Sequence, residues 1–276
     1  MYILLILLAF ILLSLSFFGS DSISNESGYL FKLRLTTIKA FIGITFFSYI
    51  ICEILSLFNL FSFNYVLISW ILINGLIIFL DKEKIKLNMF SIFSQEIIIP
   101  KKEKNILFFI FFLIILPLLL LAIFIAPNNW DSMAYHLPRV EHWIQNKNIY
   151  PYPTNIVRQL LTSPLSEYII ANFQILASTD SFSNLVQFAS FIFILFSATL
   201  FFSILKIGMK GQLFLLLALL SLPMMLFQAT TTQTDLLASF FFLSFILFAL
   251  LIIRTEANFK NNFIFLALSL TLGILT

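Results

Sequence analysis

Eight long apolar runs dominate this sequence and constrain what the chain can fold into. They cover residues 2–19, 40–60, 63–80, 106–126, 182–205, 212–227, 235–253 and 262–276. A helix needs about 20 apolar residues to cross the hydrocarbon core of a bilayer. Because 61% of the residues are hydrophobic and only 11% are charged, polar residues are too few to cover a water-soluble globule. We therefore predict an all-α fold, a polytopic membrane helix bundle of about eight spans.

The two ends of the chain carry separate expectations. No Lys or Arg precedes the run 2–19, and the stretch 16–20 is a poor site for signal peptidase, so we expect a retained span rather than a cleaved signal. The run 262–276 stops without a polar flank. We expect the chain to be the N-terminal part, roughly half, of a longer protein.

Basic residues fall on alternate connections between the runs. Thirteen of the 16 lie in four connections: Lys32, Arg34, Lys39, Lys82, Lys84, Lys86, Lys101, Lys102, Lys104, Lys206, Lys210, Arg254 and Lys260. The positive-inside rule makes these connections cytoplasmic and places the N-terminus and residues 127–181 outside. We name residues 127–181 the outer segment. The Lys-rich connection 81–105 is read as a topology determinant, with lipid-phosphate binding as the less favoured alternative.

This pattern divides the chain into two regions. Residues 1–105 form an N-terminal three-span region, and residues 106–276 form a membrane domain that contains the outer segment. The only cysteine, Cys52, lies in an apolar run, which excludes an internal disulfide and a cysteine-based metal site.

The outer segment is predicted to hold two juxtamembrane amphipathic helices. A stripe at steps of four, three and four marks the first helix; its members are Met133, Leu137, Val140 and Ile144. His136 and Arg139 are expected to point away from this stripe, and Pro138 is expected to kink the helix or divide it. The second helix is predicted to start at Ser163, with Pro164 in its first turn. Both helices are expected to lie along the membrane surface.

Two acidic residues are the catalytic candidates. Asp131 follows the span 106–126 at the water–lipid boundary, and Asp235 closes a polar stretch in the next outward connection. Each could cap the helix that follows it. The functional alternative is a pair of carboxylates at span ends that divide the work of a general base and of substrate or cation binding.

Several other outer-segment residues are candidates for substrate binding. Arg139 and Arg158 lie on the side of the membrane where basic charge is disfavoured, which points to an anionic phosphate ligand; the alternative is pairing with Glu141 or Glu167. Lys147 is more simply solvated. Aromatic residues here are expected to form an interfacial belt, with sugar stacking open to one or two of them. The binding candidates are therefore Tyr135, His136, Arg139, Trp143 and Arg158.

Metal ligands are not indicated by the histidine spacing. His136 and His142 are six residues apart, which does not place them on one helical face, and no third ligand accompanies them. Glu53, inside the second run, is expected to face the bundle, protonated or paired.

The outer segment resembles the first outer loop of bacterial GT-C superfamily glycosyltransferases. This family is related to protein O-mannosyltransferases, the aminoarabinose transferase of lipid A and the galacturonic acid transferases of the lipopolysaccharide core. The resemblance rests on the stretches 130–133, 135–140, 142–146, 152–155 and 158–160, and it covers about residues 104–276. Asp131 matches the acidic residue that follows the preceding span in this family. Weaker matches are Ser163-Pro164-Leu165, at the start of the second juxtamembrane helix, and Asp235.

The resemblance implies a reaction and its partners. The donor is expected to be a sugar on a polyprenyl phosphate, the acceptor a hydroxyl of a glycan, lipid or protein, and the surroundings membrane lipids, with no nucleic acid involved. Asp131 is expected to act as base in an inverting displacement while Arg139 or Arg158 stabilises the leaving phosphate. No Asp-x-Asp motif or Gly-rich phosphate loop is present, in keeping with a lipid donor. No cofactor is certain; a divalent cation, Mg²⁺ or Mn²⁺, is the one candidate.

Two alternatives stay open at this point. The chain could be a non-catalytic carrier or flippase component for lipid-linked sugars, although its spans carry few of the mid-membrane polar groups typical of transporters. It could also be an inactive fragment that retains only the structure of a transferase.

Overall fold

The structure is a computed structural model that describes residues 2–18, 28–94, 99–254 and 258–276. Within these ranges the chain is all-α and contains no β-strand, as predicted. The helices in chain order are α1 (Leu4–Phe18), α2 (Tyr29–Leu57), α3 (Phe63–Ser94), α4 (Lys101–Ile110), α5 (Leu116–Phe124), α6 (Leu137–Asn146), α7 (Arg158–Leu161), α8 (Leu165–Ala177), α9 (Leu185–Ile204), α10 (Met209–Leu220), α11 (Pro223–Gln228), α12 (Asp235–Arg254) and α13 (Phe259–Ile274). Two π-helical turns also occur, Phe111–Ile115 between α4 and α5, and Ser132–His136 before α6.

Five helices of the described ranges are long and apolar enough to cross a bilayer. They are α2, α3, the continuous helix from Lys101 to Phe124, α9 and α12. Helices α1, α10 and α13 are apolar but shorter. The multi-pass character is therefore confirmed, whereas the count of about eight spans stays a prediction.

The predicted run 212–227 is divided into two helices. Helix α10 ends at Leu220, and α11 starts at Pro223. Proline lacks the N–H that a continuing helix would need, and it disfavours helical backbone at the preceding residue. Leu222 accordingly has ψ 107°, outside the helical region.

Helix α3 extends well beyond the predicted run 63–80. It continues to Ser94, with non-helical backbone at Asp81 (φ −122°, ψ 19°). The Asp81 carboxylate accepts hydrogen bonds from Ser16 of α1 at 2.5 Å and from Lys84 at 2.6 Å. The bond from Ser16 ties the Lys-bearing end of α3 to α1.

The helices have two chemically different ends. At one end, the turn after α2 contacts the outer segment, where the N–H of Phe61 donates to the carbonyl of Lys147 at 3.0 Å. The carbonyl of Leu275, after α13, accepts from the N–H of Leu165 at 2.9 Å at the same end. Arg34 lies 23 residues before Leu57 on α2, or about 35 Å along the helix axis. We call the end that holds the outer segment the Asp131 end, and the end that holds Arg34 the Lys end.

Helix α8 lies inside the bundle, which corrects the expectation of an amphipathic surface helix. It packs against α2, α3 and α6, and eleven of its thirteen residues are buried. Its Asn172 amide accepts from the Trp70 indole at 3.0 Å and donates to the carbonyl of Tyr168 at 2.9 Å. The helix starts at Leu165, close to the predicted Ser163, but apolar residues cover more of its circumference than a single face.

Candidate functional site

Asp131 lies at the start of the π-helical turn, but its side chain does not cap it. Its backbone is already helical (φ −64°, ψ −43°) and its carboxylate makes no capping bond. The cap is Asn129, whose Oδ1 accepts from the N–H of Ser132 at 2.6 Å. The capping alternative for Asp131 is therefore excluded, and its carboxylate is directed elsewhere.

The Asp131 carboxylate is held by a residue that is distant in sequence. Gln233 Nε2 donates to its Oδ2 at 3.0 Å. The Arg158 guanidinium lies 3.6 Å from its Oδ1, and the two side chains are 69% and 28% exposed. Thr232, beside Gln233, also donates to the hydroxyl of Ser132 at 2.6 Å. The connection before α12 therefore fixes the start of the π turn through the bonds of Gln233 to Asp131 and of Thr232 to Ser132.

A cavity of about 360 Å³ opens beside this ion pair. Its lining comes from the π turn and from the start of α7: Trp130, Ala134, Tyr135, Asn155, Ile156, Val157 and Arg158. Trp130 is 82% exposed. The cavity combines a cation, an aromatic face and apolar walls, which suits a ligand with an anionic group and a sugar ring.

Tyr135 reports the charges around this cavity. Burial is the main cause that raises the pKa of its phenol, followed by the negative charge of Asp131, while Arg158 acts in the opposite direction. Smaller raising effects come from Glu167 and Asp235. Tyr135 therefore stays protonated at neutral pH and can donate a hydrogen bond. Its guanidinium neighbour Arg158 lies 5.8 Å from the ring centre.

Asp235 lies near this group but is not in contact with Asp131. It starts α12, is exposed, and accepts from Gln228 Nε2 at 2.9 Å. The N–H of Leu236, in the first turn of α12, is satisfied by Gln187 Oε1 at 3.1 Å rather than by Asp235. Asp235 is therefore an exposed carboxylate that is bonded to Gln228 and lies near enough to Tyr135 to affect the pKa of its phenol.

His136 and Arg139 turn inward, contrary to the predicted stripe. His136 Nδ1 lies 2.8 Å from Glu167 Oε1, and Arg139 lies 3.5 Å from the same oxygen. Arg139 also donates to the carbonyl and hydroxyl of Thr162 at 2.8 and 2.9 Å. All three charged or titratable side chains are buried. The prediction was wrong because the buried face of α6 is wider than the predicted stripe: it also includes Arg139 and Trp143, and His136 lies one turn before Arg139 on the same side.

Met133 lies within the π turn, whose extra residue rotates it about the helix axis relative to α6. It was predicted to share the buried stripe with Val140, yet it is exposed while Val140 is fully buried. Pro138 lies at the start of α6, so the expected interruption occurs immediately before it.

Trp143 and Tyr152 belong to the interior rather than to an aromatic belt. Trp143 is buried, stacks on the Arg139 guanidinium at 4.7 Å and packs against the ring of Tyr168 at 5.3 Å. The Tyr168 hydroxyl in turn donates to Glu53 at 3.0 Å, which provides the partner expected for that carboxylate. Burial is the main cause that raises the pKa of Tyr168, with a further contribution from Glu53.

Gln159 holds the π turn against the stretch before α7 through its side-chain amide. Its Nε2 donates to the carbonyl of Ala134 at 2.9 Å. In a regular α-helix this carbonyl would accept from the N–H four residues later, but that residue is Pro138, which has no N–H. Its Oε1 accepts from the hydroxyls of Tyr152 at 3.1 Å and Thr154 at 2.9 Å. A single buried amide therefore joins the π turn to the extended stretch before α7.

Metal ligation gains no support from the described part of the chain. No group of three or more His, Cys, Asp or Glu side chains there could hold an ion. The two histidines diverge, since His142 stacks on Tyr152 at 4.1 Å while His136 bonds Glu167. Asp131 already has nitrogen donors at both oxygens. We therefore propose no reaction step that involves a divalent cation.

Sequence reasoning did not find three residues that shape this site. Glu167 entered only as a partner for a surface arginine, and Gln159 and Gln233 were not singled out. Glutamines carry no periodic or charge signal, so only the fold shows their partners. Glu167 had one usable signal, an acidic residue inside an otherwise apolar helical stretch.

Replacing Glu167 with Leu is expected to destabilise the protein by about 3–5 kcal/mol. The change removes the carboxylate that compensates the buried Arg139, and it leaves His136 without its 2.8 Å partner. Thermal unfolding of the purified protein in detergent measures the effect.

The matched control for this change is Glu141→Leu, which removes an exposed carboxylate from the neighbouring helix α6. It should alter the midpoint little. Equal midpoints for the two variants would show that the Glu167 network contributes nothing to stability.

Comparisons with models of protein families, with curated proteins and with solved structures find no match for this chain. Function is therefore inferred from the geometry and chemistry of the site.

Proposed function

We propose that the chain is an integral, multi-pass membrane glycosyltransferase that moves a sugar from a polyprenyl phosphate to a hydroxyl acceptor. One observation carries the proposal: the Asp131 carboxylate and the Arg158 guanidinium lie 3.6 Å apart beside an aromatic-lined cavity at one end of an apolar bundle. A base and a phosphate-binding cation are the two groups that this reaction needs. The resemblance of the outer segment to GT-C enzymes supports the same reading.

The proposed step is a single inverting displacement. Asp131 takes the proton of the acceptor hydroxyl, whose oxygen forms a bond to the anomeric carbon from the face opposite the phosphate. The bond between that carbon and the phosphate oxygen breaks, and the polyprenyl phosphate leaves with the electron pair. Arg158, which is mostly exposed, moves from Asp131 to the phosphate and stabilises its charge.

Gln233 and Tyr135 support this step as positioning and binding groups. Gln233 fixes one carboxylate oxygen of Asp131, which leaves the other for the acceptor once Arg158 has moved. Tyr135 donates from its protonated phenol to a sugar hydroxyl, and Trp130 offers an exposed ring for stacking. Asp235, exposed at the start of α12, binds acceptor hydroxyls.

The other sequence candidates receive different roles. His136, Arg139 and Trp143 are buried, and the first two are bonded to Glu167. We assign them to the support of the π turn rather than to substrate binding. Arg158 is accordingly the phosphate-binding arginine of the proposal.

The proposed topology has about eight spans, with the N-terminus and the outer segment outside. Two features support it. The exposed lysines Lys104 and Lys210 lie at the end opposite the Asp131 site, at the starts of α4 and α10. The shorter helices α1, α10 and α13 pack beside long apolar helices.

Replacing Asp131 with Asn is expected to lower sugar transfer by about 10²-fold or more, because the amide cannot accept the acceptor proton. The assay uses purified protein in vesicles, polyprenyl phosphates carrying radiolabelled hexoses, and an acceptor panel, with and without Mg²⁺. Asp180→Asn is the control, since it removes an exposed carboxylate from the same segment. Normal transfer by the Asp131 variant would exclude the base; donor movement across vesicles without transfer would favour the carrier alternative.

Replacing Arg158 with Ala is expected to weaken binding of polyprenyl phosphate about tenfold, because a charge-assisted hydrogen bond to phosphate is lost. Equilibrium binding in detergent measures this affinity. Lys147→Asn is the matched control: it removes the other exposed cation of the segment, and Asn tolerates the left-handed backbone there (φ 58°). An affinity unchanged by the Arg158 substitution would remove its assigned role.

The proposed orientation predicts that a cysteine at the exposed position Asn146 reacts with an impermeant maleimide in intact cells. A cysteine at Lys210 should react only after permeabilisation. The native Cys52 is buried, so background labelling is expected to be low. The reverse labelling pattern would invert the topology.

A further inference from the structure

A second cavity, of about 430 Å³, lies far from the Asp131 site. Its walls come from the first turns of α2, from α4 and the π turn after it, from α9 and from α10. The walls are almost wholly apolar, and Phe111 and Phe196 expose their rings along it. Its volume lies in the range of small-molecule sites, about 300–1,000 Å³. We call it the lateral groove.

One charged side chain, Arg34, is present among the described residues that line the lateral groove. Its guanidinium is held in place: Nη1 donates to Gln212 Oε1 at 2.8 Å, and Nε donates to the carbonyl of Leu30 at 3.2 Å. Gln212 is itself fixed, because its Nε2 donates to the carbonyl of Ile207 at 2.9 Å. The groove therefore has an oriented cation at one end and hydrocarbon along the rest.

Further positive charge surrounds this end of the groove. The exposed side chains Lys101, Lys102 and Lys104 lie in the first turn of wall helix α4, and Lys210 lies in the first turn of wall helix α10. Helix N-termini add partial positive charge of their own. Glu103, between these lysines, is buried rather than exposed to the same surface. The groove entrance is therefore complementary to an anion.

The groove runs in the direction that an acyl chain would take and is long enough for the first part of one. Along α4 and the π turn it runs from Leu107 to Ile115, eight residues and about 12 Å. Along α10 it reaches Leu216, which lies away from the lysines and toward the middle of the helix bundle. An amphiphile with its head at Arg34 would therefore place its chain along the membrane-crossing direction of these helices.

We propose that the lateral groove binds an anionic glycerophospholipid, with the phosphate at Arg34 and one acyl chain along α4 and α10. The positive charge at the groove entrance favours an anionic head group, and the apolar walls favour a lipid over a soluble phosphate. This site lies at the Lys end, about 35 Å along α2 from the outer segment. It does not depend on the proposed glycosyl transfer.

The test is a titration of delipidated protein in detergent with phosphatidylglycerol and phosphatidylcholine of the same acyl chains, followed by native mass spectrometry. Wild-type protein should prefer phosphatidylglycerol. Arg34→Gln should weaken phosphatidylglycerol binding about five- to tenfold and phosphatidylcholine binding by less, because the choline ammonium already offsets the charge of the phosphate that both lipids carry. Lys260→Gln is the matched control, because it removes an exposed cation at the same end, on α13, outside the groove.

A second variant tests the acyl-chain half of the site. Thr199 lines the groove from α9, and its hydroxyl bonds only to carbonyls of its own helix among the described contacts. Thr199→Phe should fill the groove and weaken both lipids. Equal affinity of wild-type protein for the two lipids, or an Arg34 variant that keeps the preference, would overturn the proposal. If undecaprenyl phosphate displaced bound lipid at a lower concentration than phosphatidylglycerol does, the groove would be assigned to a polyprenyl phosphate instead.

Discussion

The buried carboxylate of Glu167 joins the parts of the outer segment to one another. It lies on α8, the helix packed against α2, α3 and α6, and it receives His136 and Arg139 from the π turn and from α6. A buried carboxylate without partners would be strongly unfavourable, so this arrangement is stable only when both partners are in place. The position of the π turn, and with it the direction of Asp131, therefore depends on this contact.

The Asp131 end uses the same residue types in two different ways. Glu167 and Arg139 form a buried pair, in which Glu167 Oε1 faces both His136 and Arg139 and the guanidinium also donates to Thr162. Asp131 and Arg158 form a largely exposed pair at 3.6 Å. An exposed pair of this kind is worth little in stability, about 0–1 kcal/mol. The second pair can therefore separate at little cost when a ligand offers each member a better partner, whereas the first cannot.

The fold class was predictable because hydrophobicity is a local property of the sequence. The helix positions follow the apolar runs, and Pro223 and Pro138 mark interruptions that proline chemistry explains. The site was predictable only in part. Asp131 was found from its position just after a span, Arg158 was found from basic charge placed against the positive-inside rule, and the structure brings them together.

The errors at the site have two physical origins. A helical stripe assumes a constant 100° per residue, and the π turn Ser132–His136 breaks that assumption without any residue type that announces it, so Met133 was assigned to the wrong side. His136 and Arg139 were assigned to the wrong side because the buried face of α6 is wider than an apolar stripe, and the buried Glu167 provides a partner for both. Gln233 could not be found from the sequence, because its bond to Asp131 spans 102 positions.

The amide of Gln159 fixes the backbone of the site while the Arg158 side chain stays mobile. Its nitrogen faces a carbonyl and its oxygen faces two hydroxyls, so a half turn of the amide would set its oxygen against the carbonyl oxygen of Ala134. The main chain at the adjacent Arg158 is thereby anchored, while the Arg158 side chain reaches into solvent. The Arg158 guanidinium can thus move while the backbone that carries it stays fixed. Its range of motion is set by side-chain rotamers alone, which confines it to the neighbourhood of one carboxylate and one cavity.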